Sequence, residues 1–228
     1  MAAPCDTLDG GFESSKLGTK QYWDGAYERE LKSFQETGDE GEVWFGYDSI
    51  ERVADWIEKS DLTQKENSIL DLGCGNGTLL IELRKRGFVN LVGVDYCEAA
   101  IQLARSVTEA EDITIEYEVA DVLDDLPDTS SASLRSRYDI VVDKGTFDAI
   151  SLSPDNAQGK REKYTVNVGH LLKDTGLFII TSCNWTKEEL LKLFDTAFTL
   201  VDAIPTPVFK FGGKTGNSVT SLVFKKRL

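Results

Sequence analysis

Ile69-Leu70-Asp71-Leu72-Gly73-Cys74-Gly75-Asn76-Gly77 runs from an apolar stretch through an acid into glycines at alternate positions, then into the helix-like Thr78-Leu79-Leu80-Ile81-Glu82-Leu83. Glycine admits positive φ and carries no Cβ to hold a ligand off the turn. Eighteen residues beyond Gly77, a second apolar stretch, Leu91-Val92-Gly93-Val94, ends in Asp95. A carboxylate about 20 residues after a Gly-rich turn can accept both hydroxyls of a ribose. Together the two features predict a nucleoside site at the mouth of a parallel sheet, over the alternative of an ordinary strand–turn–helix.

Glycine spacing narrows the nucleoside. Dinucleotide folds use G-x-G-x-x-G, with a helix N-terminus facing a pyrophosphate. Here the spacing is G-x-G-x-G, and Asp71 stands two residues before the first glycine. A carboxylate there repels a pyrophosphate and suits a ligand with positive groups. S-adenosylmethionine has an ammonium, a sulfonium and no phosphate. The D-x-G-x-G-x-G pattern with a distal acid resembles the first motif of the class I, seven-strand methyltransferases. That resemblance makes Asp71, Gly73, Cys74, Gly75, Asn76, Gly77, Asp95 and its neighbour Tyr96 the candidate cofactor residues.

Along the rest of the chain, apolar periodicity alternates between helix and strand. Thr19 can cap a helix with Trp23, Tyr27 and Leu31 on one face, broken at Gly38-Asp39-Glu40-Gly41. A second amphipathic helix is expected over 48–59, with Ile50, Val53, Ala54 and Ile57 inward. Strands follow near 68–72, 90–95, 113–119, 138–143, 176–182, 197–203 and 218–225, with helices at 77–86, 98–109, 158–172 and 187–194. Such alternation implies an α/β, Rossmann-like, doubly wound parallel sheet. The link Pro205 to Asn217 is too short for a crossover, so an antiparallel hairpin is expected at the C-terminal edge. The stretch from Asp124 to Arg137 reads as a loop. The expected organisation is a flexible acidic tail over 1–15 and one domain over 16–228, made of a helical cap (16–60) and a Rossmann-like core (66–228).

Composition bounds the function classes. With 39 acidic against 25 basic residues the formal charge is −14, and the bases form no long run. Nucleic-acid binding needs a basic footprint, so it is not expected. An acidic surface favours a basic partner, although acidity also serves plain solubility. No run of 18 apolar residues offers a membrane span, and the N-terminus lacks the pattern of a secretory signal. Cys5, Cys74, Cys97 and Cys183 show no paired spacing. They read as reduced thiols of a cytoplasmic protein with no metal site; a monomer is expected, with the nucleus as a second location.

Acids end several predicted strands on the side where open α/β sheets bind ligands. In Tyr117-Glu118-Val119-Ala120-Asp121-Val122, Asp121 can meet an exocyclic amine of adenine while Val122 packs on its plane. Tyr138-Asp139-Ile140-Val141-Val142-Asp143-Lys144-Gly145-Thr146-Phe147-Asp148 delivers Asp143 toward the same region. Methyltransferases acting on nucleobase or amide nitrogens commonly carry Asn/Asp-Pro-Pro-Tyr/Phe there, which this chain lacks. Its D-K-G-T-F-D form resembles a group of eukaryotic protein-lysine methyltransferases. Further segments carry the same likeness: Leu17-Gly18-Thr19, Gly41-Glu42-Val43-Trp44-Phe45-Gly46, Ser182-Cys183-Asn184-Trp185-Thr186-Lys187-Glu188-Glu189-Leu190 and Pro205-Thr206-Pro207-Val208-Phe209-Lys210-Phe211-Gly212-Gly213. Over about 16–226 the chain is similar to the lysine methyltransferases that modify translation elongation factor 1-alpha.

The resemblance implies in-line methyl transfer from S-adenosylmethionine to a lysine Nε. On it, Asp143 attracts and orients the incoming ammonium, and Asn184, Trp185 and Phe147 complete the acceptor side. Trp44, Phe147 and Trp185 can wall the lysine channel or face a sulfonium. Core packing is the competing role for each of these aromatics. Lys144 can help place a carboxylate or pair with Asp148. His170, the only histidine, belongs late in a helix at the far edge of the sheet and is left outside the site. Two other readings stay open on the residues alone: a catalytically inactive cofactor-binding subunit, and a small-molecule methyltransferase.

Overall fold

The computed structural model describes residues 13–126, 128–211 and 214–227, so most of the expected N-terminal tail, Cys5 and the pair Gly212-Gly213 lie outside the described residues. Five strands, β1 (Ser68–Leu72), β2 (Asn90–Asp95), β3 (Glu116–Val119), β4 (Tyr138–Lys144) and β5 (Leu172–Ser182), run parallel. Next come β6 (Phe198–Ile204), a small hairpin of β7 (Val208–Phe211) and β8 (Lys214–Asn217), and β9 (Thr220–Lys226). The seven-stranded order is β3-β2-β1-β4-β5-β9-β6. Strand β9 is antiparallel to both neighbours, so the last strand slots inside the sheet and β6 becomes the edge. The antiparallel C-terminal hairpin expected from the short link is therefore present.

Period-two burial divides the sheet's side chains between two cores. Ile69, Ile140, Val142, Ile179 and Val223 pack on one face with α2 (Tyr47–Lys59), α3 (Thr78–Lys85) and part of α4 (Glu98–Ala110). Leu70, Leu72, Val141, Phe178, Ile180, Leu222 and Phe224 pack on the other with α7 (Ala157–Leu171) and α8 (Lys187–Phe194). In that second core Phe147, Tyr164, Phe178, Phe194, Phe198 and Phe224 form a continuous set of tilted, edge-on and stacked ring pairs with centroids 5.1–6.4 Å apart. Such geometry adds to plain area burial. The first helix, α1 (Lys20–Thr37), is capped by Thr19 and stopped by Gly38 at φ 78. Its Trp23, Tyr27 and Leu31 pack on α4, as the spacing predicts.

Four local differences from expectation have physical causes. Thr146–Ser151 is a short helix, α6, where Gly145 turns the chain at φ 97 directly off β4; six residues are too few to show helical periodicity. Within the expected loop 124–137, Ser131 caps one helical turn, α5 (Ala132–Arg135). Strand β5 starts at Leu172, not 176, because Tyr138 pairs with Leu172 before the register jumps to Ile140–Leu177. The expected strand 113–119 shortens to 116–119, since Ile113 and Ile115 turn into the packing around α1 and α4.

Candidate active site

β1 connects outward to β2 while β4 lies on its other side, so the chain reverses direction across the sheet at β1. The carboxyl ends of these strands open into a cavity of about 520 Å³, within the range of roughly 300–1,000 Å³ typical of small-molecule sites. Its floor is the glycine turn. Gly73 and Cys74 donate their amides to the Val94 carbonyl at 2.8 and 3.0 Å, fastening the turn to β2. Gly73 and Gly75 adopt φ 67 and 54. A Cβ on Gly73 would overlap the Thr146 hydroxyl, and one on Gly75 the Tyr27 hydroxyl. These glycines are thus demanded by neighbouring protein as well as by any ligand. Gly77 lies outside the lining and starts α3 at φ 79.

Asp95 is buried, and its carboxylate accepts from the Cys97 amide (2.9 Å) and the Gly75 amide (3.2 Å). Burial raises its pKa to about 6, against the lowering effect of those two N–H groups. Both oxygens are oriented by the backbone and keep lone pairs for a diol at the cavity wall. Asp71 also lines the cavity; burial lifts its pKa to about 7, Lys144 pulls it down and Asp95 pushes it up. Asn76 ties the turn to the Glu40 carbonyl (3.0 Å). Tyr96, Asp121 and Val122 line the next sector, where Asp121 accepts from the Leu123 amide at 2.8 Å.

The cavity has a cover built from the far end of the sequence. A 3₁₀ turn, Lys16–Gly18, docks on the end of α6, with the Ser15 amide donating to the Leu152 carbonyl at 3.1 Å. A Cβ on Gly18 would overlap the Leu152 backbone. Trp23 donates from Nε1 to the Leu17 carbonyl (2.7 Å) and packs edge-on to Trp44 with centroids 4.9 Å apart. Leu17, Gly18, Lys20, Trp23, Tyr27 and Trp44 all line the cavity. Of these, only Trp44 was expected among the site residues. The others carry a family-like pattern but no chemistry that marks them as a wall.

On the acceptor side three of the expected residues lie away from the cavity lining. Asp143 is fully buried and absent from the lining. It accepts from the amides of Thr146 (3.0 Å) and Phe147 (2.9 Å) and from the Tyr164 hydroxyl (2.5 Å), binding β4 to the start of α6. Burial raises its pKa to about 7. Phe147 and Trp185 are buried in the aromatic core, 5.9 Å apart, and neither lines the cavity. Asn184 does line it, as expected, beside Cys183 and Asp148. Asp148 was not expected there. Its carboxylate accepts from the Ser182 hydroxyl and the Cys183 amide (2.8 Å), so it holds the turn that carries Asn184. Burial raises its pKa, against those donors. Lys144 does not pair with Asp148; it donates to the Trp44 carbonyl at 3.1 Å. His170 is exposed in the last turn of α7, outside the lining.

Comparison with known proteins agrees with this geometry. A family described as "Methyltransferase domain" matches residues 63–222. The chain is 49% identical over 217 residues to a human protein named EEF1A lysine methyltransferase 2, covering 95% of this chain and 89% of that one. It is 41% identical over 233 residues to the Schizosaccharomyces pombe protein-lysine N-methyltransferase efm4, covering 94% and 96%. Among solved structures, the N-methyltransferase NodS from Bradyrhizobium japonicum, in complex with S-adenosyl-L-homocysteine, superposes with TM-score 0.61 at 17% identity over 90% of this chain and 98% of that one. At that identity the likeness concerns the fold.

Proposed function

This chain belongs to the methyltransferase family of the EEF1A lysine methyltransferases, and from that premise we infer that it methylates a lysine of translation elongation factor 1-alpha. The observation that carries the reading is the cavity itself. Asp95, held at the end of β2 by two backbone amides, lines the same space as Asp71 of β1 and the glycine turn, while Asp148 and Asn184 face it from α6 and beyond the end of β5. The donor set fits S-adenosylmethionine: Asp95 for the ribose diol, Asp71 for a positive group, Asp121 and Val122 for the adenine. When bound, that molecule supplies an electrophilic methyl on a sulfonium.

The chain's own residues do the rest. Cover residues Trp23, Tyr27 and Trp44 exclude water from the cavity, and desolvation lowers the pKa of an entering lysine, favouring its nucleophilic neutral form. Asp148 replaces Asp143 as the carboxylate that meets the acceptor, and it keeps Asn184 in place through the 182–184 turn. Holding nucleophile and methyl in line supplies much of the rate.

The deciding experiment incubates the purified chain with methyl-labelled cofactor and elongation factor 1-alpha, then maps lysines by mass spectrometry. Label on a lysine is expected. Cofactor binding without any labelled polypeptide would favour the inactive-subunit reading, and label confined to a metabolite extract the small-molecule one. We also propose that the protein is a monomer and acts in the cytoplasm; the free thiols of Cys74, Cys97 and Cys183 suit the second of these readings.

Two further outcomes are expected. Asp71 and Asp95 have folded pKa values raised to about 7 and about 6. Their contribution to the stability of the ligand-free fold is present below the ordinary carboxylate range and is lost as pH rises through 6–7. A ligand with positive groups selects the ionised forms, so its affinity should rise roughly tenfold or more between pH 5.5 and 7.5. Calorimetry across that range checks this, and a flat profile counts against Asp71 as the acid that meets the positive group. Gly18→Val should push the 3₁₀ turn off Leu152. The overpacking cost of about 1–3 kcal/mol should appear as weaker cofactor binding and faster hydrogen exchange over 15–23. The melting temperature of the sheet should be little changed.

A further inference from the structure

Four lysines line the cavity, and three have other employment. Lys20 pairs with Asp24 (2.6 Å), Lys163 with Asp125 (2.7 Å), and Lys160 donates to the Ser153 hydroxyl (2.7 Å). Lys144 stands apart. Its Nζ donates to the Trp44 carbonyl at 3.1 Å and lies 5.7 Å from the centroid of the Phe45 ring. No carboxylate of the described residues reaches it within ion-pairing distance. An ammonium has three donors, so the Trp44 contact leaves two of them for the cavity.

The neighbouring charge is Asp71. β1 and β4 are adjacent, with Leu72 opposite Asp143, so Asp71 and Lys144 end neighbouring strands on the same wall. Burial works against the Lys144 charge, and Asp71 and Asp143 support it. A negative and a positive group side by side on a desolvated wall complement a zwitterion bearing one ammonium and one carboxylate. The segment above is seated closely: Phe45 has φ 66, and a Cβ on Gly145 would lie 3.1 Å from its ring.

We propose that Lys144 is a specificity-determining residue that receives the α-carboxylate of the cofactor's amino-acid end, and that its bond to the Trp44 carbonyl sets the Trp44–Phe45 segment against that end. The proposal rests on the methyl-donor reading above. It assigns a discrimination that neither the glycine turn nor Asp95 can provide, because those groups face the nucleoside.

The test compares two ligands on the full chain by calorimetry: S-adenosylhomocysteine, and its analogue lacking only the α-carboxylate. The wild-type protein is expected to prefer the carboxylate-bearing ligand by roughly 10- to 100-fold, the usual range for a charge-assisted hydrogen bond. Lys144→Met should bring that ratio close to one while moving the analogue's Kd by less than about threefold, and Lys144→Arg should retain the preference. Lys144→Gln keeps a donor for the Trp44 carbonyl; it should lose the ratio in the same way, and it serves if the methionine variant is unstable. Equal weakening of both ligands in these variants overturns the proposal, leaving Lys144 as a tether only. So does a wild-type ratio of one. Failure of the wild-type protein to bind S-adenosylhomocysteine at all overturns the methyl-donor reading itself, and this proposal with it.

Discussion

Asp95→Ala is expected to weaken cofactor binding by about 100-fold or more, the loss of two hydrogen bonds to a charged acceptor at about 1.5–3 kcal/mol each. Geometry makes the effect large. The Gly75 and Cys97 amides hold both oxygens at the cavity wall, so the ligand meets an oriented acceptor that needs no reorganisation. Removing it also strands two amides, at a further cost of about 1–3 kcal/mol for an unsatisfied buried donor. Calorimetry measures the binding term and a urea titration the folding term. Asp95→Asn retains one oxygen acceptor and should fall between the two. Unchanged affinity in the alanine variant would remove the ribose assignment.

Phe147→Ala and Trp185→Ala should each lower unfolding free energy by about 3–5 kcal/mol, a large share of the roughly 5–15 kcal/mol that holds a domain together. Phe147 is 1% exposed and touches Tyr164, Trp185 and Phe194; Trp185 is 4% exposed and donates from Nε1 to the Ser151 hydroxyl at 3.3 Å. Chemical denaturation gives the magnitude. A channel residue would behave in the opposite way, with stability near wild type and turnover abolished. That outcome would support an acceptor-channel role for these aromatics over core packing.

Much of the architecture was legible because its signals are local. Alternating 3.6- and 2-residue periodicity located every strand of the main sheet and the long helices, and the short link after β6 implied an antiparallel edge. The elements missed were the 3₁₀ turn at Lys16–Gly18, the six-residue α6, the one-turn α5 and the β7–β8 hairpin, each too short for a periodic pattern. The cofactor side of the site was also readable. Asp71, the turn at 73–77 and Asp95 lie within a single βαβ unit, where separation in sequence fixes position in space.

The acceptor side was not readable in that way, and Asp143 and Asp148 show why. Both are acids in one eleven-residue motif, and chemistry alone makes Asp143, at the strand end, the natural choice. The positive φ of Gly145 turns the chain into α6, whose first amides take both Asp143 oxygens, while Asp148 is swung round to the cavity. Likewise, the cover joins Gly18 to Leu152 across more than 130 positions, a contact that no local pattern encodes. The sequence by itself determined the sheet and the identity of the methyl donor, because periodicity and glycine spacing act over a few residues. Only the tertiary structure decided which acids, which lysines and which aromatics face the cavity, because a side chain's partners are chosen by long-range packing and by competition for backbone amides.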